Sequence, residues 1–318
     1  MDPVGYFWNE ALSQRDTGSL CPESPDRCTV LSPRSFPKLQ GKIQVCEFEG
    51  RDASILTLVH DPQYIKEVQT AHSSGRRYLD SGDTTVTPDL FEQALLSASA
   101  GCEAVDQIMS NQLRSAFCAI RPPGHHANQH RALGFCVFNN LAIAARYAQA
   151  EYGVGLILAV DWDVHPGNGA QEIFWEDPTV FTLSFHQDDL FSEAGKSSLV
   201  GEGEGTGFNR NIPLPAKLEP TRYLDSFEKA VREVTKSFRP ELLLIACGFD
   251  AHARDPAGKM NLTDEDFYKM TEILLSHTRP YTRGKTLSFL EGGYNLSALK
   301  ESAAAHCMAL AKSPYPPE

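Results

Sequence analysis

Residues 155–171 read GLILAVDWDVHPGNGAQ, an apolar run that ends abruptly in Asp161, Asp163, His165 and Asn168. An apolar run of this length, bounded by turn residues, predicts a strand buried on both faces, as in parallel sheets. Open α/β sheets place their ligand sites at the C-terminal ends of such strands, where these polar side chains fall. Side chains at i and i+2 of an extended segment share one side, so the Asp-x-Asp-x-His spacing suits a single metal ion. The spacing alone leaves open which of the three binds the ion and which supports it from behind.

Working outward, SAFCAI (115–120), VFTLSF (180–185), LLLIACG (242–248) and TLSFL (286–290) read as further strands. Helical apolar spacing predicts helices over 61–71, 88–113, 139–152, 220–238, 263–277 and 297–311, with Thr87 capping the second and Pro88 as its first residue. This alternation implies a mostly parallel sheet covered on both faces. The 318 residues hold no internal repeat, low-complexity tract or linker and read as one catalytic domain, 1–318. Residues 1–40, rich in Pro, Ser and Asp, read as a long structured loop with one short helix, of the kind that rims a site. GEGEGTG (201–207) lacks the Gly-Lys-Ser/Thr ending of a phosphate loop and reads as a flexible turn. The end, SPYPPE, reads as a fraying tail.

A hydrophobic content of 42% supplies a sizeable core, and 9% aromatics argues against disorder. The net charge of -12 disfavours direct nucleic-acid binding, which needs a basic surface, while tolerating cationic substrates. Neither a secretory signal nor a membrane-length apolar run is evident, and the eight cysteines include no C-x-x-C pair. A cytoplasmic protein with reduced, mostly buried thiols is the expectation.

Four predicted strands end in polar clusters: RPPGHH after SAFCAI, DWDVH after GLILAV, GFDAH after LLLIAC, and EGGY after TLSFL. In a parallel sheet these four ends share one edge. Asp163, His165 and Asp250 there offer two carboxylates and an imidazole, leaving a position for water or substrate. His125 and His126 can move protons, with Asp161 and Asn168 placed to bond their far nitrogens. A carboxylate raises imidazole basicity more than an amide does, so the two histidines should differ in role. Gly292 and Gly293 allow the turn that presents Tyr294, whose phenol can donate to a developing oxyanion.

RPPGHH, GFCVFNN, DWDVHPGNGAQ, GFDAH and EGGY, in that order, together with PESPDR and GDTTVTP, resemble the zinc-dependent histone deacetylase superfamily, which includes acetylpolyamine amidohydrolases. The resemblance spans nearly the whole chain. It implies an arginase-like three-layer α/β/α sandwich with a central, mostly parallel eight-stranded sheet. It further implies that Asp163, His165 and Asp250 bind the catalytic ion, Zn2+ with Fe2+ as the alternative. His126 would be general base and acid, with His125 and Asp161 its electrostatic partners, Asn168 its orienting group and Tyr294 the polariser of the acyl carbonyl. Gly134 and Phe135 would form one tunnel wall and Phe191 the other. Asp83 would be the rim acid that grips the substrate, and Gly292 and Gly293 would also face it. Asp161, Asp163, His165, Ser184 and Phe185 match an inner K+ site. DWDVH with GNG is similar to the class II branch and its bacterial relatives, and a compact single domain suits a bacterial member. Pro166, where many members have a second His, and Cys21, where a His is common, depart from the pattern.

The implied activity is removal of acetyl or other acyl groups from lysine side chains of proteins or peptides by metal-activated water. The alternative within that chemistry is an amidohydrolase for small acetylated amines. A non-catalytic acyl-lysine binding module is disfavoured by the complete ligand set and the intact Tyr294. A ureohydrolase with paired metals is disfavoured because it wants Asp-x-His-x-Asp clusters.

Overall fold

The structure, a computed structural model, describes residues 3–191 and 193–312; the expected fraying tail lies outside the described residues. Its frame is one sheet of eight strands: β1 (Val4–Phe7), β2 (Ile43–Cys46), β3 (Ser115–Cys118), β4 (Ile157–Asp161), β5 (Val180–Gln187), β6 (Asn209–Leu214), β7 (Leu242–Cys247) and β8 (Thr286–Leu290). The order across the sheet is β2-β1-β3-β8-β7-β4-β5-β6, and every pairing is parallel. The sheet is therefore wholly parallel rather than mostly so. The four strands with polar ends, β3, β8, β7 and β4, are consecutive neighbours at its centre.

Both faces are covered by helices: α1 (Asp26–Val30), α2 (Pro62–Thr70), α3 (Leu90–Met109), α4 (Asn140–Tyr152), α5 (Asn168–Ile173), α6 (Pro220–Ser237), α7 (Asp264–Thr282) and α8 (Leu296–Lys312). Successive strand residues feed opposite cores, as a period of two requires. Ile157 and Ala159 of β4, with Leu242, Leu244 and Ala246 of β7, join the core under α3 and α4. Leu158 and Val160, with Leu243, Ile245 and Cys247, join the core under α6, α7 and α8. The same period puts Asp161 on the face of Ala159. No described helix is long and apolar enough to cross a membrane. All eight cysteines are free, and all but Cys21 are buried, as read from the sequence.

Several boundaries differ from the sequence reading. The supposed loop at 1–40 contains β1 besides α1, and β2 and β6 add the two sheet edges. α3 begins two residues later than expected: Asp89, not Thr87, is its N-cap, while Leu90 N–H donates to Thr87 O in a preceding turn. α7 runs past His277, its buried face continuing through Thr278, whose Oγ1 donates to Leu274 O, and Thr282, with Pro280 near its end.

His306 of α8 is wholly buried between α7 and the sheet. Thr271 Oγ1 donates to Phe267 O, so His306 Nδ1 must donate to Thr271 at 2.7 Å, leaving Nε2 to accept from Ser288 Oγ at 2.9 Å. Burial pushes this imidazole down to about 3. The native state thus holds His306 neutral where the unfolded chain would protonate it below an ordinary pKa near 6.5. Its stabilising contribution is complete above that value and falls as pH drops toward 3. His306→Gln should flatten the pH dependence of unfolding free energy between pH 6 and 4 by about 1.4 kcal/mol per pH unit. Urea titrations at stepped pH check this; parallel slopes for both proteins would refute it.

Candidate active site

The polar edge begins with β4. Asp161, its last residue, lies in register with Ser184 of β5 and Ala246 of β7. His125 Nδ1 is 2.9 Å from Asp161 Oδ2, and His126 Nδ1 is 2.6 Å from Asn168 Oδ1, the first residue of α5. Both oxygens only accept, so each Nδ1 donates and each Nε2 is left for the site. The imidazoles overlap, with centroids 3.9 Å apart and 35° between planes. Glycines set these distances: a Cβ on Gly169 would meet Ala127 O at 2.4 Å, and one on Gly134 would meet the His126 ring at 2.6 Å.

The two histidines are driven apart electrostatically. Burial pulls His125 down, but the Asp161 and Asp163 charges outweigh it and hold the ring well above its ordinary pKa. Burial also lowers His126, and there the cationic His125 adds to the effect, so His126 stays neutral. The ring with the carboxylate partner is thus raised and the ring with the amide partner lowered.

Asp163, His165 and Asp250 present ligand atoms within 4.8 Å of one another. His165 Nδ1 is 3.0 Å from Asp163 Oδ1 and 3.5 Å from Asp250 Oδ2. Asp163 Oδ2 accepts from Gly292 N–H at 2.7 Å, and Asp250 Oδ1 accepts from Val164 N–H at 2.9 Å. Among the described residues Asp250 Oδ2 is buried without a hydrogen bond, its contact with His165 being an ion pair at 3.5 Å. Burial raises the Asp163 carboxyl, but His125 and the bonds to His165 outweigh it and keep it ionised. Burial and the Asp163 charge push Asp250 up to about 7, while the two acids outweigh burial at His165 and raise it to about 10. Two buried acids that hold a proton this firmly on an imidazole, with one oxygen still unpartnered, are a donor set that fits a divalent cation.

Tyr294 follows Gly293, whose φ of +116° is open to glycine. Its N–H donates to Asp255 Oδ2 at 2.6 Å, and its ring lies edge-on to Phe135 at 6.0 Å. Burial raises its phenol well above 10, so it remains a donor. Phe191 stacks on His126 at 4.9 Å and meets His165 edge-on at 5.8 Å. Asp83 stands on an exposed loop that shares a groove with Phe135, away from the histidines. Ser184 Oγ contacts His186 Nδ1 at 2.9 Å and Gly167 N at 3.4 Å, and Phe185 is buried in the core under α6.

Residues not singled out from the sequence complete the site. Glu291 is fully buried: its Oε2 accepts from Gly124 N–H at 2.7 Å and His125 N–H at 3.0 Å, so the end of β8 grips the loop carrying both histidines. Arg27 of α1 donates to the carbonyls of Glu291 and Gly293. Glu23 in turn pairs with Arg27, Arg15 and Arg121, all buried. The sequence signal was present in PESPDR and EGGY, but nothing in it marks these charges as buried.

Paired histidines, a phenol, and two acids with an imidazole that could hold a metal ion thus gather at the carboxyl edge of a parallel sheet, a set of groups suited to hydrolysis. The model of the histone deacetylase domain matches residues 21–310. The chain is 36% identical over 286 residues to "Histone deacetylase 14, chloroplastic" of Arabidopsis thaliana, covering 86% of this chain and 68% of that protein. It is 36% identical over 309 residues to "Polyamine deacetylase HDAC10" of Homo sapiens, covering 93% of this chain and 45% of that protein. The crystal structure of the HDA15 HD domain superposes with a TM-score of 0.88 at 30% identity, over 98% of this chain and 90% of that one. The chain belongs to the histone deacetylase family and is a deacetylase.

Glu291 offers a test of how the histidines are held. Glu291→Gln keeps an oxygen acceptor at full reach, whereas Glu291→Asp keeps the charge but withdraws it by one methylene. A misplacement of this order typically costs about 100-fold. Glu291→Asp should therefore lose roughly 10- to 100-fold in kcat while Glu291→Gln stays within a few-fold of wild type. The reverse ranking in steady-state assays would make charge rather than reach the requirement.

Proposed function

We propose that this chain removes acetyl groups from lysine side chains of peptides or proteins, using Zn2+ held by Asp163, His165 and Asp250, with Fe2+ as the alternative ion. The observation that carries the reading is the buried Asp250 Oδ2, without a hydrogen bond among the described residues, grouped with Asp163 and His165, which lie 3.8 Å from His125 Nε2 and 5.8 Å from the His126 ring respectively. A divalent ion in that set supplies Lewis acidity and lowers the pKa of water.

The chain's own groups do the proton work. His126, neutral and oriented by Asn168, accepts a proton at Nε2 and returns it to the departing amine. His125, kept cationic by Asp161, leaves His126 as the group that exchanges protons. Tyr294 donates to the acyl oxygen as negative charge gathers there, and its raised pKa keeps the donor proton in place. Phe135 and Phe191 flank the alkyl chain, and Asp83 accepts from substrate N–H groups at the rim. Ser184, Phe185 and the turn 161–165 form the candidate K+ site. A second reading, a small acetylated amine as substrate, is favoured by the 36% identity to the human protein named a polyamine deacetylase.

Tyr294→Phe should lower kcat by about 100-fold or more, the worth of one oxyanion donor, with metal content unchanged. Asp250→Asn should instead lose the ion. Acetate-release kinetics paired with elemental analysis separate the two; a full metal complement in Asp250→Asn would remove that residue from the ligand set.

A further inference from the structure

A second group of metal-ligating side chains lies beside the first. His125, Cys136 and Glu291 present ligand atoms within 4.8 Å of one another, and all three side chains are buried. They share no residue with Asp163, His165 and Asp250, although Asp163 Oδ1 stands 3.8 Å from His125 Nε2.

Each of the three is held in a way that leaves one donor atom free. His125 Nδ1 donates to Asp161 Oδ2 at 2.9 Å, so Nε2 is the available nitrogen. A carboxylate behind an imidazole is the usual support of a metal-bound histidine. Glu291 Oε2 accepts from the N–H groups of Gly124 and His125, whereas its Oε1 is buried without a hydrogen bond among the described residues. Glu291 is 0% exposed, and an orphaned acceptor at that depth is costly and calls for a partner. Cys136 closes a tight turn, its N–H donating to Leu133 O at 2.9 Å and its carbonyl accepting from Leu133 N–H at 3.2 Å, which fixes where the thiol begins.

The donor set differs in kind from its neighbour. Asp163, His165 and Asp250 offer oxygen and nitrogen, whereas Cys136 adds sulfur, which selects Zn2+ and softer ions over Mg2+ or Ca2+. Bonds to Zn2+ are about 2.0–2.3 Å long, so shifts of about an ångström close the three atoms on one ion.

We propose that His125, Cys136 and Glu291 form a second metal site, for a thiophilic divalent cation such as Zn2+, and that its occupation stops turnover. Binding breaks the S–H bond of Cys136 and removes the proton from His125 Nε2, and both protons pass to solvent. The ion thereby takes the nitrogen that His125 turns toward the reacting groups. The inhibitory half of the inference rests on the role proposed above for His125; the binding half does not.

Cobalt titration of the metal-depleted full chain tests the site. Co2+ on Asp163, His165 and Asp250 has no sulfur ligand, whereas Co2+ on Cys136 gives a near-ultraviolet thiolate-to-cobalt charge-transfer band. Wild type should bind two equivalents, with the band rising alongside the second. Cys136→Ala should keep the first equivalent, which reports an intact fold, and lose the band. Glu291→Gln keeps the backbone contacts without the charge and should weaken the second equivalent at least about tenfold while leaving the first; it decides the site if Cys136→Ala fails to fold. Zn2+ beyond one equivalent should suppress acetate release from an acetyl-lysine peptide, and Cys136→Ala should need about tenfold more for the same effect. A single equivalent in wild type, a band that persists in Cys136→Ala, or an unchanged second equivalent in Glu291→Gln would overturn the site. Full turnover with the second equivalent bound would overturn its inhibitory role. Absence of acetate release at one equivalent would instead refute the reading of the adjoining centre, and the charge-transfer band would still decide the second site.

Discussion

The hydrogen bond from Gly292 N–H to Asp163 Oδ2, 2.7 Å long, is the constraint on which the site depends. It joins the turn after β8 to the turn after β4 across the intervening β7. The approach is close enough to exclude any side chain: a Cβ on Gly292 would lie 2.0 Å from Asp250 Oδ2, and one on Gly248 would lie 2.2 Å from Asp163 Oδ2. Three strand ends can therefore converge on two carboxylates only because two of the residues between them are glycines. Tyr294 inherits its position from the same turn.

Convergence of this kind buries charge, and the fold compensates with charge. Glu23 lies among Arg15, Arg27 and Arg121, and Arg121 grips it with Nε at 2.8 Å and a terminal nitrogen at 3.0 Å. One carboxylate cannot satisfy three guanidinium groups, so other donors go to the carbonyls of Leu12, Arg15, Glu23, Thr85, Glu291 and Gly293 and to Thr87 Oγ1. Buried ion pairs gain little net stability over apolar contacts, and this cluster is better understood as a locator. It pins the N-terminal segment to the EGGY turn, and through Arg15 it fixes the rim loops, so entrance and catalytic edge share one rigid support.

The sequence made the centre of the sheet legible and its edges obscure, for physical reasons. β4 and β7 are buried on both faces, and their unbroken apolar runs announced them. β2 is a four-residue edge strand with Gln44 and Val45 exposed, and β6 carries Pro213, which a strand tolerates at an edge. Neither has the alternation or the run that a strand reading needs. α5 is six residues long, too short for a period of 3.6 to register, although it carries Asn168. The candidate ligands and histidines were legible because they cluster at strand ends. Glu291 and Glu23 were not, because an acid inside a motif gives no sign of whether it faces solvent or is buried against backbone N–H groups.

Charge balance sharpens what the site requires. Asp161, Asp163, Asp250 and Glu291 are all buried, and the groups facing them are His125, His126 and His165. Asp161, bonded to Nδ1, and Asp163, 3.8 Å from Nε2, together keep His125 cationic. Burial raises Glu291 to about 7, where protonation removes its charge at little cost. Asp163 and Asp250 then remain, with a single imidazole between them. Burial first, and the Asp163 charge second, drive Asp250 up to about 7, while the two acids hold the proton on His165. A divalent cation in place of that proton would balance both carboxylates and give Asp250 Oδ2 a partner, with His165 as the neutral ring. Three strand ends thus bring two buried carboxylates and one imidazole into a single group that could hold a metal ion.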